Sequence, residues 1–152
     1  MFGAVTVHMQ APPEEIWALI SDVTRIGEFS PETFEAEWLD GAGGPAVGVR
    51  FRGHVRRNGI GPVYWTTCRV TECEPMKSFA FSVGLGTAAV NSWRFDIVPT
   101  DDGGADVTES FRMAPNPATK LYWAIMGRAR GRTNERGMRQ TLDRMRSVLE
   151  AG

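Results

Sequence analysis

The sequence predicts an α+β fold: a curved antiparallel sheet of about seven strands wrapped around a long C-terminal helix, with two short helices after the first strand. Three observations predict it. Apolar residues alternate with period two through most of residues 33–113. The spacing then changes to helical at Met138, Leu142, Met145 and Leu149. Helical signals earlier in the chain are confined to a short stretch before Ser30. An antiparallel sheet of that size curls. Its apolar face needs cover, and the last helix is the large element that can supply it. A hollow between the two is therefore expected.

Each element has its own signal. Val5, Val7 and Met9 alternate with Ala4, Thr6 and His8, which reads as a strand over residues 3–9. Pro12-Pro13-Glu14-Glu15 suits a helix first turn, where no amide donor is needed and negative charge meets the positive dipole end. Ile16, Leu19 and Ile20 mark the apolar face of that helix. Ser21-Asp22 can cap a second short helix reaching Phe29, and Ser30-Pro31 ends it. Strands are then expected at Thr33–Leu39, Gly48–Arg57, Tyr64–Cys73, Ser78–Leu85, Asn91–Val98 and Ala105–Met113. Asn58-Gly59 and Asp101-Asp102-Gly103-Gly104 are turn signals. The last helix is expected to start near Asn116-Pro117, with Gly127, Gly131 and Gly137 as points where it could bend or break.

Composition bounds the class. With 152 residues, 42% hydrophobic, and a net charge of −1, the chain reads as one domain, residues 1–152, with an ordinary core. The longest apolar run, Leu121–Met126, is far short of the roughly 20 residues that span a membrane. The start, Met1-Phe2-Gly3-Ala4-Val5, has no basic segment and no long apolar stretch, so no secretory signal is expected and the cytoplasm is the simplest location. Cys68 and Cys73 are five apart, which on a regular strand puts them on opposite faces; both read as free thiols. With His8 and His54 the two histidines, neither a metal site nor a Ser/His/Asp triad is expected. Charge is uneven: residues 1–49 are acidic and residues 127–152 carry seven arginines. These arginines are interspersed with apolar residues, as on the solvated face of a docked helix. A pI of about 6.1 and the lack of a basic-aromatic motif argue against nucleic acid.

Several segments together resemble a known family. They are Ala11-Pro12-Pro13-Glu14-Glu15-Ile16-Trp17 with Ile20-Ser21-Asp22, and Phe29-Ser30-Pro31-Glu32. Further on come Gly48-Val49-Arg50-Phe51-Arg52-Gly53, Val70 with Glu74-Pro75, Trp93-Arg94-Phe95, and Thr141-Leu142 in the last helix. In these the chain resembles the START-like (SRPBCC) helix-grip superfamily, in particular its bacterial polyketide cyclase/dehydrase and lipid-transport branch. The resemblance implies a hydrophobic cavity and lipids, polyketides or hormones as ligands, in enzymes and plain carriers alike.

Candidate site residues follow from strand parity. Phe34, Ala36, Trp38, Phe51, Tyr64, Phe81, Trp93, Phe95, Phe111 and Met113 should face the helix, and Met138, Leu142 and Met145 should face the sheet. They form either an apolar lining or a packed core. Glu109 shares parity with Val107 and Phe111 and should point inward. A lone buried carboxylate is costly, so it is the candidate acid/base or polar anchor; the alternatives are an internal partner or a place at the rim. Asn91, Tyr64 and Thr66 are candidate ligand-orienting groups. Arg50, Arg52, His54 and Arg56 lie opposite Phe51 and Val55 and should face out, which weakens a cyclase mechanism based on an inward Arg. The expected gate is the two short helices with the loop at Gly86–Val90. The leading function is binding or transport of a small hydrophobic ligand without a cofactor. The alternatives are a polyketide cyclase/aromatase or dehydratase, and an interaction module that docks through the Arg-rich helix. A homodimer is compatible with each.

Overall fold

A computed structural model describes residues 2–56, 62–85, 88–113 and 117–151, without side-chain detail at 85, 88–90 and 117–133. The element order is β1 (Phe2–Met9), α1 (Pro13–Ser21), a 3₁₀ helix (Val23–Glu28), then β2 (Thr33–Trp38) and β3 (Arg50–Arg56). β4 (Val63–Glu74), β5 (Ser78–Leu85), β6 (Ala88–Pro99), β7 (Ala105–Met113) and α2 (Pro117–Glu150) follow. The seven strands form one antiparallel sheet in the order β1-β7-β6-β5-β4-β3-β2. Six strands thus run as a meander, and β1 adds to its far edge beside β7. The α+β architecture expected from the sequence is the one observed. α2 continues from Pro117 to Glu150, so the break anticipated at its glycines is absent. No helix among the described residues is long and apolar enough to cross a membrane.

Local chemistry explains the short helices. Pro12 caps α1 in an extended conformation, Pro13 occupies the first turn, and Ile16, Leu19 and Ile20 are buried. The Asp22 carboxylate accepts from the Thr24 amide and starts the 3₁₀ helix. Gly27 is where this helix crosses β2: a Cβ there would lie 2.2 Å from the Phe34 carbonyl oxygen, so only glycine fits.

The core joins the inner face of the sheet to α1 and the last turns of α2. Met9, Val107, Phe79, Leu142 and Met145 are fully buried. Three bulges interrupt the ladders, between Thr33 and Glu35, Val70 and Glu72, and Val83 and Gly84. An extra residue shifts side-chain parity beyond it. Two expectations change as a result. Phe34 does not face the helix: it is 46% exposed and packs on His54, while Thr33 turns inward. Cys68 and Cys73 do not lie on opposite faces: Cys68 is buried and Cys73 packs against the same core. Both are free thiols, as read from the sequence.

Candidate functional site

Between the inner face of the sheet, the 3₁₀ helix and the middle of α2 lies a cavity of about 180 Å³. Its walls are built strand by strand. β3 gives Phe51, Gly53 and Val55, and β4 gives Tyr64, Thr66 and Cys68. β5 and β6 give Phe81, Val83, Asn91, Trp93 and Phe95; β7 gives Glu109. Ile26, Phe29 and Ser30–Thr33 close one side, and Asn134, Met138 and Thr141 of α2 form the roof. The rings interlock: Phe51 meets Phe81 edge-on at 5.1 Å, and Trp93 lies 4.9 Å from Phe111. Tyr64, 39% exposed, stands at the mouth.

Two polar atoms inside have no partner among the described residues: Glu109 Oε2 and Asn91 Oδ1. Glu109 is only 6% exposed, between Val5 and Phe95 on the neighbouring strands. Burial pushes its carboxyl well above the ordinary carboxylate range, which favours the neutral acid. Cys68 differs: burial, offset in part by the Thr66 hydroxyl, pushes its thiol up to about 12. It is a thiol, not a thiolate, at neutral pH, and so a poor nucleophile. Thr141 is satisfied within α2, donating to the Gly137 carbonyl at 2.8 Å.

The sequence-derived candidates divide into two sets. Phe51, Tyr64, Thr66, Phe81, Asn91, Trp93, Phe95, Glu109 and Met138 are brought together around the cavity. Trp38, Phe111, Leu142 and Met145 are not. Trp38 packs edge-on against Phe51 at 5.8 Å, Phe111 is buried behind Trp93, and Leu142 and Met145 sit fully buried a turn or more along α2. Phe111, Leu142 and Met145 are packed core, where α2 closes on β1 and β7, and Trp38 is half-buried against that core from the other edge of the sheet. Ala36 and Met113 are partly buried against that core. Of the expected gate, Gly86 and Thr87 lie outside the described residues, as does the Asn58-Gly59 turn; residues 88–90 begin β6. The lining residues that parity reasoning passed over are chiefly Ile26, Phe29 and Asn134. Gly53, Val55, Cys68 and Val83 carried a readable signal, since each shares parity with a chosen neighbour.

The basic residues of β3 are outside, as expected. Arg50 makes a two-pronged pair with Asp40 at 2.9 Å, and Arg52 pairs with Glu37. His54 meets Glu35 at 2.7 Å and stacks on Trp65 at 4.1 Å. His8, also on the outer face, bridges Asp102 and Asp106, each at 2.9 Å. No cluster of three or more His, Cys, Asp or Glu suited to a metal occurs among the described residues.

A curved antiparallel sheet gripping one long helix, with a mainly apolar hollow between them, defines the START-like helix-grip class. Within it, the chain belongs to the polyketide cyclase / dehydrase and lipid transport family, whose model matches residues 4–150. The polyketide-cyclase-like protein of Corynebacterium glutamicum, solved by NMR, is similar at 26% identity and a TM-score of 0.67, over 98% of this chain and 91% of that one. A Staphylococcus aureus protein of unknown function has a TM-score of 0.70 at 13% identity, over 99% of this chain and 95% of that one. The di-domain ARO/CYC BexL of the BE-7585A biosynthetic pathway has a TM-score of 0.66 at 15% identity, over 94% of this chain and 46% of that one. At these identities the last two establish likeness of fold alone. No curated protein matches the chain.

Proposed function

We propose that this protein binds and carries a small hydrophobic ligand, lipid or polyketide-like, in the cavity between sheet and helix, and that it does so in the cytoplasm. One observation carries the reading: an aromatic-walled cavity that holds two buried polar atoms with no partner among the described residues. Such atoms cost free energy in the empty protein, and a ligand that satisfies them recovers it. A cavity of about 180 Å³ compares with the roughly 150 Å³ that accommodates benzene. It suits one or two rings, with any longer part leaving past Tyr64. Burying roughly 200 Å² of apolar ligand surface would contribute about 5 kcal/mol before the costs of ordering. Trp93→Ala tests this: affinity for a naphthalene-sized apolar probe should fall at least tenfold. Unchanged affinity would contradict the site.

Glu109 favours a second reading, a cyclase or dehydratase acting in the same cavity. Cyclisation of a poly-keto chain needs positioning and a proton shuttle more than a large catalytic set. A neutral Glu109 can donate to a ketone oxygen, while Asn91 or Tyr64 holds the chain. Turnover should then fall about a hundredfold in Glu109→Gln. Unchanged turnover would remove this reading and leave the carrier.

A further inference from the structure

The two unpartnered atoms also describe the ligand, given that the cavity is a binding site. Asn91 pairs across the sheet with Met113, and Glu109 pairs with Phe95. The interval from Asn91 to Phe95 along β6 is four residues, or about 13 Å of strand. Trp93 lies midway and faces the same cavity. The polar groups therefore stand at opposite ends of an aromatic wall. The amide oxygen of Asn91 calls for a donor. The carboxyl of Glu109, 6% exposed, calls for a group that can share a proton with it. The other titratable groups that line the cavity among the described residues are Glu32, Tyr64 and Cys68, which like Glu109 are neutral or negative. No lysine or arginine lines the cavity among the described residues, so an anionic headgroup would lose its hydration there without a cation to compensate it.

We infer that the cavity selects a neutral, elongated, ring-bearing ligand with a carbonyl or hydroxyl oxygen at the Glu109 end and a hydroxyl or amide donor at the Asn91 end, and discriminates against carboxylates. Free fatty acids are thereby the wrong ligand, and hydroxylated ketones the right kind. The elevated affinity of Glu109 for its proton agrees with this assignment, because the neutral acid is the form that donates to a carbonyl.

Three matched probes test it by calorimetric titration at pH 7: naphthalene, 6-acetyl-2-naphthol and 6-hydroxy-2-naphthoate. The expected result is that the acetyl naphthol binds at least tenfold more tightly than either of the others. Glu109→Leu should keep naphthalene binding, which shows the fold and cavity intact, and abolish the acetyl naphthol's advantage. Glu109→Gln retains an N–H donor and should keep most of it. If the naphthoate binds wild type as well as the acetyl naphthol does, or if Glu109→Leu leaves the advantage in place, the inference fails while the cavity still binds. If none of the three binds, the ligand-binding reading fails and this inference with it.

Discussion

The two faces of the sheet treat their charged groups in opposite ways. On the outer face most charged groups of β1, β3 and β6 are matched: Arg50 with Asp40, Arg52 with Glu37, His54 with Glu35, His8 with Asp102 and Asp106, and Arg94 with Glu72 and Asp96. On the inner face, Glu109 and Asn91 hold buried atoms with no partner among the described residues. Donors are plentiful on that outer face, so the bare atoms inside are a property of the site. An exposed pair contributes little, typically below about 1 kcal/mol, because water solvates either partner alone. A buried orphan is costly, because nothing replaces the lost hydration. The expensive arrangement is found at the cavity.

That contrast can be broken in graded ways. The largest effect should come where the inner face is packed core. Leu142→Ala removes a fully buried side chain and should destabilise the protein by about 2–5 kcal/mol, read by urea unfolding. A loss below about 1 kcal/mol would mean that the helix is not clamped on the sheet there. Next, Glu109→Leu should stabilise the unliganded protein by about 1–3 kcal/mol, since it removes a buried carboxyl without a partner among the described residues. A destabilised variant would show that Glu109 is satisfied in solution. The matching change outside has the opposite sign and a smaller size: Glu37→Ala should cost less than about 1 kcal/mol.

Acidity separates the faces further. The folded state raises the Glu109 pKa well above 4.5, so the folded protein binds a proton that the unfolded chain has released. Stability should therefore fall as pH rises above about 4.5 and level off beyond the raised value. Glu109→Gln should lose this slope. His8 is raised above 6.5, chiefly by its hydrogen bond to Asp106 and then by that to Gln10. Its contribution is present in full below 6.5 and disappears as pH rises through the higher folded value. The His8 step should be the smaller of the two, because that side chain is in water. A His8→Gln variant with an unchanged pH profile would contradict it.

The strands, the helices and their order were legible because alternation and helical spacing are written directly in the positions of Val5, Phe81, Trp93 and Leu142. The inward direction of Glu109 was legible too, from its parity with Val107. What parity cannot show is an added residue. The bulge at Thr33 and Glu35 turned Phe34 outward, and the one at Val70 and Glu72 brought Cys73 to the side of Cys68. Parity also cannot separate lining from packed core. Trp93 and Phe111 share a face and touch, yet one borders the cavity and the other is behind it. That difference depends on how closely α2 approaches the sheet, a distance set by side chains far apart in sequence. The contribution of Ile26 and Phe29 was hidden for the same reason.

The central claim is that the cavity carries a small neutral apolar ligand. Native mass spectrometry of freshly purified protein, followed by solvent extraction, tests it most directly. The account predicts a near-stoichiometric added mass that is released on denaturation and identified as a neutral oxygenated ring compound. A bare protein mass, with no naphthalene or acetyl naphthol bound on titration, would contradict it.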